Sequence, residues 1–290
     1  TDASRIPAGI RGYPSYEDLL EDPETAAVVV ATPSSSHRTL VIAALEAGKH
    51  VFVEKPLAGT LEDAAAIVAA AARAGRVAQA GFCERFNVNY LEAKRAVSSG
   101  ALGRIRSIQT SRVAPFSFSD PAWDLGVLDT AVHNFDLTLW LTGKAPVSVL
   151  ARGVQVYGEN RIPHAVTTLL SFADGALATD HIAWLKDDAH PLHQCARSRM
   201  MLQGEAGSFS IDLTDRPSAL LTAGGYRKLD TIIVGRPDYY GCLKLQFEAF
   251  LRSIEDGAKV LAPLEDALLT ERVALAARDS LASGKEVRLS

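Results

Sequence analysis

Cysteine is scarce in this chain. Its 290 residues hold three, Cys83, Cys195 and Cys242, odd in number and far apart, with no C-x-x-C pair. That excludes a disulfide framework and a cysteine zinc site, and reads as reduced thiols in a cytosolic protein. Positive charge is not in excess: 30 Lys and Arg face 34 Asp and Glu, a formal net charge of −4. No basic field is offered to nucleic acid or to an anionic membrane. Long apolar runs are missing too, since Ala26–Ala31 and Ala64–Ala74 are too short to cross a bilayer. The opening residues Thr1-Asp2-Ala3-Ser4-Arg5 lack the apolar core of a signal peptide. The expectation is a cytoplasmic protein with neither a membrane nor a nucleic-acid partner. What is present is an ordinary globular balance, 48% hydrophobic and 22% charged, at a length comfortable for two domains.

Along the first hundred residues, short β-branched runs alternate with helical segments. The Ala26–Ala31 and His50–Val53 runs and Val77–Gly81 read as strands, the first two continuous and β-branched as in a parallel sheet buried on both faces. Tyr16–Leu20, His37–Ala47 and Leu61–Ala74 read as helices, the latter two closed by Gly48 and Gly75. Strand and helix alternating at this spacing predict a parallel α/β sheet. Right-handed crossovers place Thr32–Ser36 and Glu54–Pro56 along one edge, where such sheets bind ligands. Asn89–Ser98 then reads as a helix, Gly103–Arg112 as a strand and Val127–Leu141 as a helix. From Pro146 the texture turns to longer alternating strands: Val147–Tyr157, Ala165–Phe172, Ala176–Trp184, Arg199–Gln203 and Ser208–Leu213. Helices around Leu243–Ser253 and Leu264–Leu281 close the chain. The fold expected is a parallel α/β domain over residues 1–100. An α+β domain with a mostly antiparallel sheet follows over 101–290, its C-terminal helices packing back on the first.

Three clusters carry chemistry. The turn Thr32-Pro33-Ser34-Ser35-Ser36-His37 puts small hydroxyls at a helix N-terminus, where they either cap the helix or face a ribose or phosphate. Glu54-Lys55-Pro56 follows a buried strand, so Lys55 lies over the ligand crevice and could share a proton with a substrate hydroxyl. In the helix, Asp129, His133 and Asp136 fall at i, i+4 and i+7 and form one stripe on an otherwise apolar element. An Asp one turn from a His can orient the ring and raise its basicity. An internal hydrogen-bond network is the alternative reading. No metal site is assigned, because further ligands cannot be placed.

Together these clusters resemble the glucose–fructose oxidoreductase / inositol dehydrogenase (Gfo/Idh/MocA) family. The resemblance rests on A-T-P-x-x-x-H (Ala31–His37), A-L-E-A-G-K-H-V-F-V-E-K-P (Ala44–Pro56), D-x-x-x-H-x-x-D (Asp129–Asp136) and S-x-x-S-G-K-x-V (Ser280–Val287). It implies a Rossmann domain, an α+β domain whose open sheet makes a homodimer or homotetramer, and NAD or NADP as hydride carrier. It further implies that Lys55 polarises the substrate hydroxyl, that His133 is the general base with the split between the two open, and that Asp129 tunes His133. Thr32, Pro33, Ser34, His37, Glu54, Lys55 and Pro56 would line the cofactor. A finer likeness in Gly81–Asn87, Arg112–Phe116 and Gly126–Asp129 is to the branch that oxidises the 3-hydroxyl of UDP-N-acetylglucosamine-type nucleotide sugars. Arg85, Asn87, Arg112 and Asp136 would then be on the substrate side, arginine being a natural partner for diphosphate.

The sequence departs from that family in one respect. Its opening strand, G-x-G-x-x-G turn and helix are not here, and Gly9 and Gly12 sit in a short loop. A preceding unit of about fifty residues is one explanation. The other is a shortened member that binds a sugar-like ligand, or does cofactor-free acid–base chemistry, without redox activity. A purely structural partner that binds no small ligand is a third class.

Overall fold

The computed structural model describes residues 9–115, 125–158, 163–185, 197–213, 218–222, 225–229 and 241–289. Cys195 and Phe116 of the sequence reading lie outside them. In chain order the elements are α1 (Tyr16–Glu21), β1 (Ala27–Val30), α2 (His37–Glu46), β2 (His50–Val53), α3 (Leu61–Ala74), β3 (Ala78–Ala80), α4 (Val88–Ser98), β4 (Ile105–Pro115) and α5 (Leu128–Thr142). Then come β5 (Pro146–Val154), β6 (Ala165–Phe172), β7 (Leu177–Leu185), β8 (Arg197–Gly204), β9 (Ser208–Asp212), β10 (Ser218–Thr222) and β11 (Gly225–Leu229). The last are α6 (Cys242–Glu255), α7 (Leu264–Ser283) and β12 (Val287–Arg288).

The first unit is a parallel sheet in the order β1-β2-β3. Val30 is in register with Val53, and Val53 with Ala80, so the strands end level. The turns that follow them therefore share one edge. Helix α3 shows why its sequence folds locally. The Thr60 side chain accepts from the Asp63 N–H at 3.1 Å, acids fill the first turn, and Gly75 at φ 59° takes the left-handed conformation that ends it.

The second unit is a seven-stranded sheet in the order β12-β5-β6-β7-β4-β8-β9. Only the central β4–β7 pair is parallel. Its inner face packs against α4, α5 and α7 around Phe135, Leu137, Leu141, Ile182 and Leu202. Among the described residues, the other face has Leu177 and Met201 as exposed side chains. Strands β10 and β11 form a separate antiparallel ribbon that the sequence reading did not include.

The C-terminal segment returns to the first unit. Ala80 donates its N–H to Ala262 O at 2.9 Å, and Leu264 and Ala267 join the core built on Val51, Val53 and Ile67. Farther along α7, Val273, Ala274 and Ala277 belong to the other core. One helix thus ties both units together, and α5 lies beneath the edge of the first.

Candidate active site

The E-K-P turn and the D-x-x-x-H helix meet. Lys55 Nζ donates to the main-chain oxygen of Asp129 at 3.2 Å, a contact across 74 residues of sequence. The Lys55–Pro56 peptide is cis. Glu54 Oε2 accepts the Lys55 N–H at 3.2 Å, and burial raises the Glu54 carboxyl above its ordinary range against the pull of Lys55 and His37. A Cβ on Gly81 would come within 2.9 Å of Glu54 Oε2, so a larger residue there would displace the carboxylate.

His133 stands next to this contact with its Nδ1 buried and without a hydrogen-bond partner. Burial first, then the charges of Lys55 and Arg112, hold its pKa well below the ordinary imidazole value. Asp129 and His133 fall one turn apart on α5, and the Asp129 charge also reaches Glu271 of α7, whose pKa it helps to raise.

Arg112, on the inner face of β4, donates Nη1 to Glu84 Oε1 at 2.9 Å and Nε to Asn134 Oδ1 at 3.1 Å. Its Nη2 and the Glu84 Oε2 are buried without partners. Asn134 passes the network on, donating to Asp180 Oδ1 at 2.6 Å, which also accepts from Thr110 Oγ1 at 2.6 Å. Burial pushes Asp180 up to about 6 despite these donors.

Three other residues expected at ligands make contacts within the fold, and of these Asn87 keeps its buried Nδ2 without a partner. Arg85 forks onto Asp136 through Nε at 2.9 Å and Nη2 at 2.6 Å, and its Nη1 donates to Leu261 O and Asp266 Oδ2, both at 2.7 Å. Arg85 and Asp136 are each 1% exposed. This desolvated bidentate pair ties α5 to the C-terminal segment and leaves neither side chain facing a substrate. Asn87 caps α4, its Oδ1 accepting the Asn89 N–H at 3.0 Å, as an N-cap asparagine should.

On the other turn, Thr32 and Pro33 are exposed and Ser34 is half-buried. The serines do not cap α2; Ser36 Oγ donates to Pro33 O at 2.8 Å and shares a 2.7 Å bond with Thr32 Oγ1. His37 is fully buried, with Nδ1 3.2 Å from Leu57 O and Nε2 2.8 Å from Thr32 O. Its ring fastens one turn to the other and has no nitrogen left for a cofactor. Sequence reasoning missed Glu84, Asn134, Asp180 and Glu271. Only Glu271 left a trace, as an acid breaking the buried stripe Leu264, Ala267, Glu271, Ala274.

Comparison with known proteins now bears on this geometry. Residues 3–82 match an oxidoreductase family with an NAD-binding Rossmann fold, and residues 90–210 match the GFO/IDH/MocA C-terminal domain. Inositol 2-dehydrogenase 2 of Saccharopolyspora erythraea is 31% identical over 285 residues, 95% of this chain and 80% of that protein. The chain belongs to the Gfo/Idh/MocA oxidoreductase family. The scyllo-inositol 2-dehydrogenase (NAD(+)) of Bacillus subtilis is 28% identical over 94% of this chain and 80% of its own length. The structure of an oxidoreductase domain protein from Kribbella flavida superposes with a TM-score of 0.78 at 26% identity, covering 95% of this chain and 83% of that one. As a family member the chain is an NAD(P)-dependent dehydrogenase acting on CH–OH groups, with an NAD-binding first unit. The residues present fit the nicotinamide end of that cofactor. An exposed turn at Thr32–Pro33 and a half-buried one at Glu54–Pro56 flank one sheet edge, beside a buried imidazole nitrogen and a guanidinium nitrogen that lack partners.

Proposed function

We propose that this dehydrogenase reversibly oxidises a secondary alcohol of a cyclitol or free sugar, with Lys55 and His133 as its acid–base pair. The observation that carries the reading is the Lys55–Asp129 contact beside His133, which joins two turns distant in sequence at one point. NAD, when bound, supplies the acceptor for the hydride that leaves the alcohol carbon. Thr32, Pro33, Ser34, Glu54, Lys55 and Pro56 would line its nicotinamide side. The Lys55 ammonium donates to the substrate oxygen and stabilises the alkoxide as it forms. His133, kept neutral by burial and two neighbouring cations, takes the hydroxyl proton. Its imidazolium, once formed beside those cations, is a ready acid, which suits return of the proton when the carbonyl is reduced.

One feature favours a compact polyol over a nucleotide sugar: the expected diphosphate partner Arg85 is paired with Asp136, while Arg112 Nη2 and Asn87 Nδ2 keep buried donors without partners. We further propose that the sheet face bearing Leu177 and Met201 carries a homodimer or homotetramer contact; a monomer in sedimentation velocity at micromolar concentration would contradict this.

The decisive experiment is turnover of NAD+ with a panel of inositols, aldoses and UDP-N-acetylglucosamine, repeated on Lys55→Ala and His133→Ala. Each substitution should lower kcat by about two to four orders of magnitude without loss of folding. Near-normal turnover in both variants would overturn the assignment. Saturable polyol binding without hydride transfer would favour a non-redox ligand-binding role instead.

A further inference from the structure

We propose that Asn134 is a positioning residue, whose carboxamide fixes helix α5 against the second sheet and so sets where His133, its neighbour in the chain, stands relative to Lys55. The N-cap of α5, Val127, offers no side-chain bond. The apolar side chains along the helix, among them Leu128, Val132, Phe135 and Leu139, are buried by a force that has no preferred direction. Direction comes from polar groups. Asp136, two residues on and near the opposite side of the helix, is gripped by Arg85. Asn134, 1% exposed, holds the side that meets the sheet. Its Oδ1 accepts Arg112 Nε at 3.1 Å, and its Nδ2 donates to Asp180 Oδ1 at 2.6 Å.

The sheet is built to receive this amide. Thr110 and Arg112 fall at alternate positions of β4 and share its inner face, and Thr110 is in register with Asp180 of β7. An amide presents an acceptor at one end and donors at the other, which suits a place between a guanidinium and a carboxylate. A carboxylate there would set two acceptors face to face, and an apolar side chain would leave both bonds unmade. Arg112 also reaches the first unit, donating Nη1 to Glu84 Oε1 at 2.9 Å. Glu84 is three residues beyond Gly81, whose N–H donates to Val53 O at 2.8 Å, and Val53 is two residues before Lys55. One guanidinium therefore holds α5 through Asn134 and the strand-end turns through Glu84. A buried polar network of this kind specifies one arrangement where apolar packing would tolerate several.

The test exchanges the two partners. Its kinetic part rests on the dehydrogenase reading and uses whichever polyol of the panel is turned over. Asn134→Asp should lower kcat by about tenfold to a hundredfold through misplacement of His133, while NADH affinity changes by less than about threefold. Adding Asp180→Asn to Asn134→Asp restores both bonds. The amide now on β7 donates one hydrogen back to α5 and the other to Thr110 Oγ1, whose own hydrogen turns to Thr179 O, 3.3 Å away. The exchanged protein should regain kcat to within about fivefold of the wild type. An exchange no better than Asn134→Asp, unchanged kcat in that single variant, or a loss of NADH affinity as large as the loss of kcat would overturn the proposal. If Asn134→Asp does not fold, Asn134→Leu takes its place against the exchanged pair. The ring is also read without turnover. In long-range 1H–15N spectra of the full chain, the His133 ring signals, assigned by their loss in His133→Asn, should shift in Asn134→Asp and return in the exchanged pair. Both proteins carry the same carboxylate beside His133, so a direct charge effect would not be reversed. Ring signals that stay in place in Asn134→Asp, or that fail to return, would reject the positioning role. A panel with no turnover by the wild type would count against the dehydrogenase reading, and the ring signals would then decide the positioning claim alone.

Discussion

His133 is the residue whose surroundings say most about its chemistry. An imidazole with a buried, unpartnered Nδ1 and two cations for neighbours resists protonation. If it is the base, the acid limb of kcat/KM must lie well below pH 6.5, because the neutral, proton-accepting form persists down to its lowered pKa. A pH–rate profile from 4.5 to 9 checks this, and an acid inflection at or above 6.5 that vanishes in His133→Asn would contradict it. The sequence placed Asp129 and His133 on one helical stripe and Lys55 at a strand end, because these are local patterns; the Lys55–Asp129 contact came only with the fold. It could not say which way each side chain's charge was balanced. The pairing of Arg85 with Asp136 and of Arg112 with Glu84 depends on contacts between elements far apart in the chain, and only folding reveals them.

Among the elements, α7 has the widest reach. It contributes to both cores and carries Glu271 toward the turn. Ser280 then fastens its far end, donating to Lys285 O at 2.6 Å and accepting the Ala151 N–H at 2.9 Å while fully buried. Gly284 takes φ 66° to stop the helix, and Val287 pairs with Val149 on β5. The S-x-x-S-G-K-x-V motif is thus a structural clip. Replacing Ser280 by Ala leaves a buried N–H and a carbonyl without partners, which should destabilise the fold by about 1–3 kcal/mol. Chemical denaturation of Ser280→Ala measures it, and a change below about 0.5 kcal/mol would show the clip to be dispensable. Most helices and strands of the described residues were legible within a few positions, from apolar periodicity and terminal glycines. The β10–β11 ribbon was not, and neither was β12, whose two residues are a strand only because β5 lies beside them.

For the molecule as a whole, two units with separate cores meet where Lys55, at the strand-end edge of the first sheet, touches α5, which packs on the second. The described residues contain no helix long and apolar enough to cross a membrane. An arrangement of two cores bridged by α7 predicts that cofactor affinity and the Lys55–His133 site depend on one another only through that junction. Lys55→Ala should therefore weaken NADH binding by less than about tenfold while lowering kcat by the orders of magnitude given above. The measurement that tests the central claim most directly is a titration of the purified protein with NADH, followed by nicotinamide fluorescence. Saturable binding, retained in His133→Ala and competed by NAD+, is the predicted result. A well-folded protein that binds neither NADH nor NAD+ would contradict the account.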